Sequence, residues 1–396
     1  MSNRKSIAKL VSEYSLALIA GVIVALAAAN YDLDWYERII KGAWSETKLF
    51  GTHVLNLRWF VNEVFMVFFF GVAMKEITDA VLPGGTMSSL GKALNPLIGT
   101  IGGIVGPVMV YICLAQVLYT DPEIQGKVLG GWAVPTATDI ALAWLAARMV
   151  FGAGHSAVSF LLLLAIADDA IGLIIIAVFY PDPTHPFVAT GLLYVMGGVA
   201  VAWGLRRWAV QNWIPYVLLG GGLSWYGLVT AHLHPALALV PVIPLLPKRL
   251  STEETSAPSP LDDFEHSVKH PVDWGLFLFA FANAGVSFER VGTLTWIVLA
   301  SLLIGKMLGV TLFSWVALKM GSPLPSGMSL SHLITAGLVA GLGLTVALFF
   351  CGVAFPAGSD LVGEAKMGAL FSTSVFGLSL LLGRALGIRP VKDGAA

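Results

Sequence analysis

The sequence is short of charge. Of its 396 residues only 23 are Lys or Arg and 24 are Asp or Glu, 12% together, about half the share usual in soluble domains. So few charges cannot cover a surface that faces water on all sides. With a mean hydropathy of +0.81, a soluble enzyme and a disordered chain are both excluded. A net charge of −1 leaves no basic stripe for nucleic acid. Cysteine is nearly absent: Cys113 and Cys351 stand apart in apolar runs, form no metal-binding pattern, and read as small buried apolar residues rather than a disulfide. Also missing are the segments of about ten residues with alternating hydrophobicity that build an outer-membrane barrel.

What the sequence has instead is long apolar runs. A membrane helix needs about 20 such residues. Runs of this kind lie near 14–30, 61–78, 94–119, 131–147, 156–180, 187–204, 213–231, 233–247, 272–288, 293–318, 330–356 and 363–384, which predicts an all-α, polytopic membrane protein of about 12 helices. The weakest division falls at Ala231–His234. With this count both termini share a side, and 15 Lys and Arg fall there against seven on the other, so the termini are expected in the cytoplasm. The basic start, the first apolar run and Ala27-Ala28-Ala29 imitate a secretory signal, but further spans follow and an uncleaved first helix is expected. Residues 48–57, in the loop 31–60, suit a small hairpin. Residues 248–271, rich in Ser, Pro, Thr and acids, read as a cytoplasmic linker.

Several charges sit where they are costly. Asp139, Asp168, Asp169 and Lys306 lie inside apolar runs, and Glu63 lies near the start of another. An ionisable group at the bilayer centre costs roughly 2.5–3.5 kcal/mol, so the four central ones together cost roughly 10 kcal/mol unless they face one another or water. A structural Asp–Lys pair accounts for one carboxylate, not three. Adjacent Asp168 and Asp169 point about 100° apart on a helix, so one can meet Lys306 while the other faces a cavity. A carboxylate cluster exchanges protons and is a hard-oxygen site for a small cation such as Na⁺ or Li⁺. Two runs are also interrupted. Pro135-Thr-Ala-Thr-Asp139 breaks the fourth, and Gly337, Gly341 and Gly343 loosen the eleventh. Where helices unwind, an acid suits the N-terminal ends and a cation the C-terminal ends; Asp139 and Lys306 suit those roles. No Arg, Asn and Gln cluster offers the polar pocket that a Na⁺-coupled solute symporter, the alternative function, needs. No Gly-x-Gly-Asp suggests an intramembrane aspartyl protease. A passive channel is a third option, with flux not tied to protons.

Four segments together resemble the NhaA family of bacterial sodium/proton antiporters: Gly131-Trp-Ala-Val-Pro-Thr-Ala-Thr-Asp-Ile-Ala, Ala165-Ile-Ala-Asp-Asp, Phe279-Ala-Phe-Ala-Asn-Ala-Gly-Val and Leu303-Ile-Gly-Lys-Met-Leu-Gly. Their order, spacing and flanking spans match over nearly the whole chain. The resemblance implies an electrogenic exchanger of Na⁺ or Li⁺ for H⁺ in the inner membrane, not an enzyme and without a cofactor. It implies Asp169 as the main cation and proton site, Asp168 sharing the site and pairing with Lys306 in the proton-loaded state, and Asp139 and Thr138 at the crossing of the broken fourth and eleventh spans. It further implies inverted core repeats at 94–180 and 289–396, interface bundles at 1–93 and 181–288, a homodimer joined through an outer hairpin, and activation by alkaline pH. The chain departs from the family where Ala73 replaces an acidic residue before Lys75, where Lys75 and Glu76 are arranged differently, and where Glu63 replaces an Asp. His234 and Glu265 match positions tied to pH response.

Overall fold

The computed structural model describes residues 16–44, 54–83, 90–181, 186–248, 259–356 and 358–391. Most of the expected hairpin, residues 48–53, lies outside the described residues. Every regular element among those described is helical, and none is a strand.

Helix α1 (Leu16–Tyr31) ends at Asp32, whose side chain accepts the Trp35 N–H at 2.9 Å and starts the amphipathic α2 (Leu33–Lys41). Helix α3 covers 57–81 and holds a π turn at Val61–Phe65. Then follow α4 (Leu90–Leu118), α5 (Pro122–Leu129), a 3₁₀ turn at Val134–Thr136, α6 (Ile140–Phe151) and α7 (Ser156–Phe179). After α8 (Gly191–Arg207) and α9 (Trp213–Ala231) come α10 (Pro260–Ala284) and α11 (Thr293–Lys319). The chain closes with α12 (Leu330–Val339), α13 (Leu344–Ala354), α14 (Asp360–Phe371) and α15 (Ser374–Ala385).

Among the described residues, five stretches are long and apolar enough to cross a bilayer: Ala93–Leu118, Ser156–Phe179, Trp213–Ala231, Thr293–Lys319 and Asp360–Ala385. Two further stretches pass only as bent pairs. Residues 122–136 meet α6 at 52°, and α12 meets α13 at 48°. Both bends sit where the sequence withholds helix-forming residues, at Pro135 through Asp139 and at Gly341 through Gly343.

Two expectations need correction. The run 233–247 is not a regular helix but a chain of turns, with 3₁₀ segments at Pro235–Leu237 and Ile243–Leu245. Pro235, Pro241 and Pro244 remove three backbone donors in ten residues, which an α-helix cannot absorb. The linker 248–271 does not run to its expected end, because α10 already begins at Pro260. Ser259 caps it by accepting the Asp262 N–H, Pro260 fills the first position, and Asp262 and Asp263 meet the positive helix end. Residues 260–271, which read as part of a solvated linker, are a helix start.

A close backbone approach joins α4 to α11. Gly102 and Gly106 of α4 face Gly305 and Gly309 of α11, both pairs spaced as Gly-x-x-x-Gly. A methyl group at Gly102 would run into the Gly309 carbonyl, and one at Gly309 into that of Gly102. Only hydrogen fits on either side, and this contact fixes the depth of Lys306, three residues before Gly309. Gly309→Ala should therefore lower stability by about 1–3 kcal/mol, read as a fall in the thermal midpoint of the purified protein. Gly377→Ala, which meets nothing within 4 Å, should leave it unchanged; equal effects would refute the packing argument.

Candidate functional site

The two helix breaks touch. The Asp139 N–H donates to the Leu342 carbonyl at 2.6 Å, and the Thr138 hydroxyl reaches the Ala340 carbonyl at 2.9 Å. The Asp139 carboxylate then serves two helix starts at once. Its Oδ1 accepts the Leu142 N–H of α6 at 3.1 Å, and its Oδ2 accepts the Thr345 N–H of α13 at 3.2 Å and the Thr345 hydroxyl. Unpaired amides and a positive dipole end make each helix start an anion site, and here one carboxylate fills two. Thr345 was not singled out from the sequence. A threonine in an apolar run reads as a tolerated polar residue; the signal was its place just after the glycine break, where a helix restarts.

At the opposite polarity stands Lys306. It is fully buried, and its Nζ donates to the Thr136 carbonyl, where the half-helix before the first break ends. The same Nζ lies 2.6 Å from Asp168 Oδ2, which also accepts the Thr138 hydroxyl at 2.7 Å. Asp168 is only 3% exposed, and its Oδ1 has no hydrogen-bond partner. Asp169, one residue on, points elsewhere. It lines a cavity of about 750 Å³ that runs to Lys269 and His270 of α10 and also touches Thr138, Asp139 and Glu76. Its Oδ1 is likewise buried without a partner. A separate small void of about 10 Å³ is bordered by both Asp168 and Asp169, with Phe70, Ala73 and Val346 as apolar walls. That is about the room one water occupies. Ala73 lines both spaces, so the departure from the family pattern leaves an apolar wall facing the aspartates.

The remaining candidates divide. Lys75 and Glu265 pair directly, joining α3 to α10. Asp79, 2.8 Å from Lys75, extends the cluster to Lys248 at 2.6 Å, and Lys269 stands 3.6 Å from Glu265. Asp79 and Lys248 were not singled out, although the i,i+4 spacing of Lys75 and Asp79 was a signal. Glu76 turns to the large cavity instead. Glu63 lies in the π turn at the far end of α3, twelve residues or about 18 Å of helix from Lys75; its backbone carbonyl accepts the Trp225 indole N–H at 2.7 Å. His234 packs edge-on against Phe349 of α13, ring centroids 6.1 Å apart. The structure thus brings Lys75 and Glu265 together and sets Glu63 at the other end. Asn283, from the third resembling segment, pairs with Asn62 at 2.8 Å between α10 and α3.

Comparison with known proteins follows the same lines. The family described as Na⁺/H⁺ antiporter 1 matches residues 5–385. The Na⁺/H⁺ antiporter NhaA 2 of Pelobacter propionicus is 53% identical over 96% of this chain and 98% of its own length. The NhaA antiporter of Geobacter sulfurreducens is 52% identical with the same coverage, and that of Desulfitobacterium hafniense is 48% identical over the full length of both chains. A chain whose helix breaks, buried lysine and paired aspartates fall within a match of this extent belongs to the NhaA family of Na⁺/H⁺ antiporters.

Proposed function

We propose that the chain exports Na⁺ or Li⁺ in exchange for inward-moving protons, with more protons than cations moved in each cycle and hence electrogenically, and that it serves sodium and pH homeostasis. Asp168 and Asp169 are the cation and proton site. The observation that carries this reading is the pair of unpartnered, buried carboxylate oxygens at one small void, beside a cavity that reaches Asp169. Among the described residues no group of three or more His, Cys, Asp or Glu side chains converges to hold a metal.

The mechanism is competition. A cation held by the two carboxylates and protons held by the same oxygens exclude each other. Either load neutralises charge that is costly in the membrane, and the loaded site alternates between inward and outward exposure. A cation at Asp168 weakens its hold on Lys306, which keeps the Thr136 carbonyl. Asp139, Thr138 and Lys306 hold the crossing of the broken spans four and eleven at the midplane. The reading includes twelve spans, the run of turns at 235–245 counting as the eighth, with both termini cytoplasmic in the inner membrane. Core repeats at 94–180 and 289–396 move against interface bundles at 1–93 and 181–288, in a homodimer joined through the outer segment 48–57. The Lys75–Glu265 cluster, with Glu76, lies where the large cavity meets α10 and is the candidate for pH response; His234 and Glu63 are candidates set apart from it.

The test is collapse of a proton gradient in everted membrane vesicles, followed with a ΔpH-sensitive dye. Addition of NaCl or LiCl to energised vesicles should restore fluorescence, more so at alkaline pH, and choline chloride should not. No response to either cation from acid to alkaline pH would overturn the proposal.

A further inference from the structure

A second charged cavity lies at the opposite end of α3 from the Lys75 cluster. It has a volume of about 90 Å³, and its charged lining is Glu37 and Lys41 of α2, Arg58 of α3, Arg290 and Lys366 of α14. Four cations thus face one carboxylate. Lys41 is taken by Glu37 at 2.7 Å, and Arg290 by Asp360. Lys366 and Arg58 have neither hydrogen bond nor ion pair with any described residue, yet Lys366 is only 6% exposed and Arg58 is half-buried. Removing one partner of a buried ion pair is strongly destabilising because a bare charge remains. Here a lysine amine and a guanidinium, both unpartnered among the described residues, share one cavity.

The start of α14 adds to the deficit of acceptors. Its N-cap residue, Ser359, makes no side-chain cap and instead donates its hydroxyl to the Pro356 carbonyl at 2.9 Å. Gly358, Ser359 and Gly363 line the same cavity, so the first turn of α14 lies beside it; there the Val362 N–H is taken by the Ser359 carbonyl at 3.2 Å, and the amides before it are the ones a helix start leaves over. The two nearby acids are engaged elsewhere: Asp360 by Arg290, and Glu364 by the Leu294 N–H at 2.8 Å. Helix-start amides, a forked guanidinium and a compact ammonium are the donor set that recognises tetrahedral oxyanions.

We propose that this cavity binds a phosphate-class oxyanion, held by Lys366, Arg58 and the first turn of α14. The anion supplies the missing counter-charge and ties α2 and α3 to α14, far apart in sequence. Free phosphate and a phospholipid headgroup share this chemistry.

Two measurements on the purified full chain distinguish these sources. In the first, Tris phosphate is titrated against Tris chloride at matched ionic strength while the thermal midpoint is followed. A free-phosphate site gives wild type a rise of about 2–5 °C near saturation. Lys366→Met and Arg58→Gln remove that rise, and Lys366→Arg retains it. In the second, delipidated protein is offered phosphatidylglycerol or phosphatidylcholine and examined by native mass spectrometry. A headgroup site gives one phosphatidylglycerol adduct in wild type that both charge-removing variants lack, and no matching phosphatidylcholine adduct. Absence of both signals from wild type would overturn the proposal. So would their undiminished persistence in Lys366→Met and Arg58→Gln.

Discussion

Asp169→Asn reduces Na⁺- and Li⁺-dependent collapse of the proton gradient to the background of empty vesicles, while the purified variant is at least as heat-stable as wild type. The two halves share a cause. Asparagine keeps the size of the side chain, but it cannot release a proton and brings no negative charge to a cation. With the Asp169 charge gone, the small void is left with one carboxylate, already drawn to Lys306. Stability moves the other way because Asp169 Oδ1 is buried without a partner, beside a second carboxylate at Asp168. Removing a poorly compensated buried charge relieves a desolvation penalty. Vesicle assays and thermal melts on the same preparations would check both parts. A variant that exchanged at the wild-type rate would end the case for Asp169 as carrier.

The second large effect concerns the buried pair. Lys306→Met leaves the Asp168 carboxylate with only the Thr138 hydroxyl and the void. Breaking a buried pair from one side costs roughly 3–5 kcal/mol, a fall of about 5 °C in thermal midpoint for a chain of this size. Asp168→Asn should cost less, since Lys306 retains the Thr136 carbonyl. The double variant Lys306→Met/Asp168→Asn strands no charge and should recover much of the loss from Lys306→Met. A double variant whose loss equals the sum of the two single losses would mean that the side chains do not act as a pair.

The candidate site was legible because charge is so rare here. In a sequence with 12% charged residues, an aspartate in an apolar run stands out, and the cost of burying it leads directly to Asp139, Asp168, Asp169 and Lys306. The breaks were legible from Pro135 and from Gly341 and Gly343, residues that weaken a helix wherever they occur. What stayed hidden depends on contacts distant in sequence. Thr345 acquires its role only because residue 139 lies against it across 206 positions. Arg58 and Lys366 read as ordinary cations near helix ends, and nothing in their neighbours along the chain marks the cavity they share. The failures at 233–247 and 260–271 have a different origin. Hydropathy sums apolar character and ignores backbone donors, so three prolines in Pro235–Pro244 passed as a span. Serine, proline and acids are common to linkers and to helix starts, and at Ser259–Asp263 the second meaning holds.

Asp139 accepts bonds from two helices that begin after different breaks. Asp139 is the cap of its own helix α6, so α13 cannot withdraw from the crossing without losing the acceptor it borrows there, and the two breaks behave as one joint with a single pin. Any rearrangement that reorients the aspartates then has to carry the joint along whole. The compliance for such a movement must come from parts of the frame that are wound more loosely: the π turns at Val61–Phe65, Tyr216–Gly221 and Ser301–Gly305, the last of which ends one residue before Lys306.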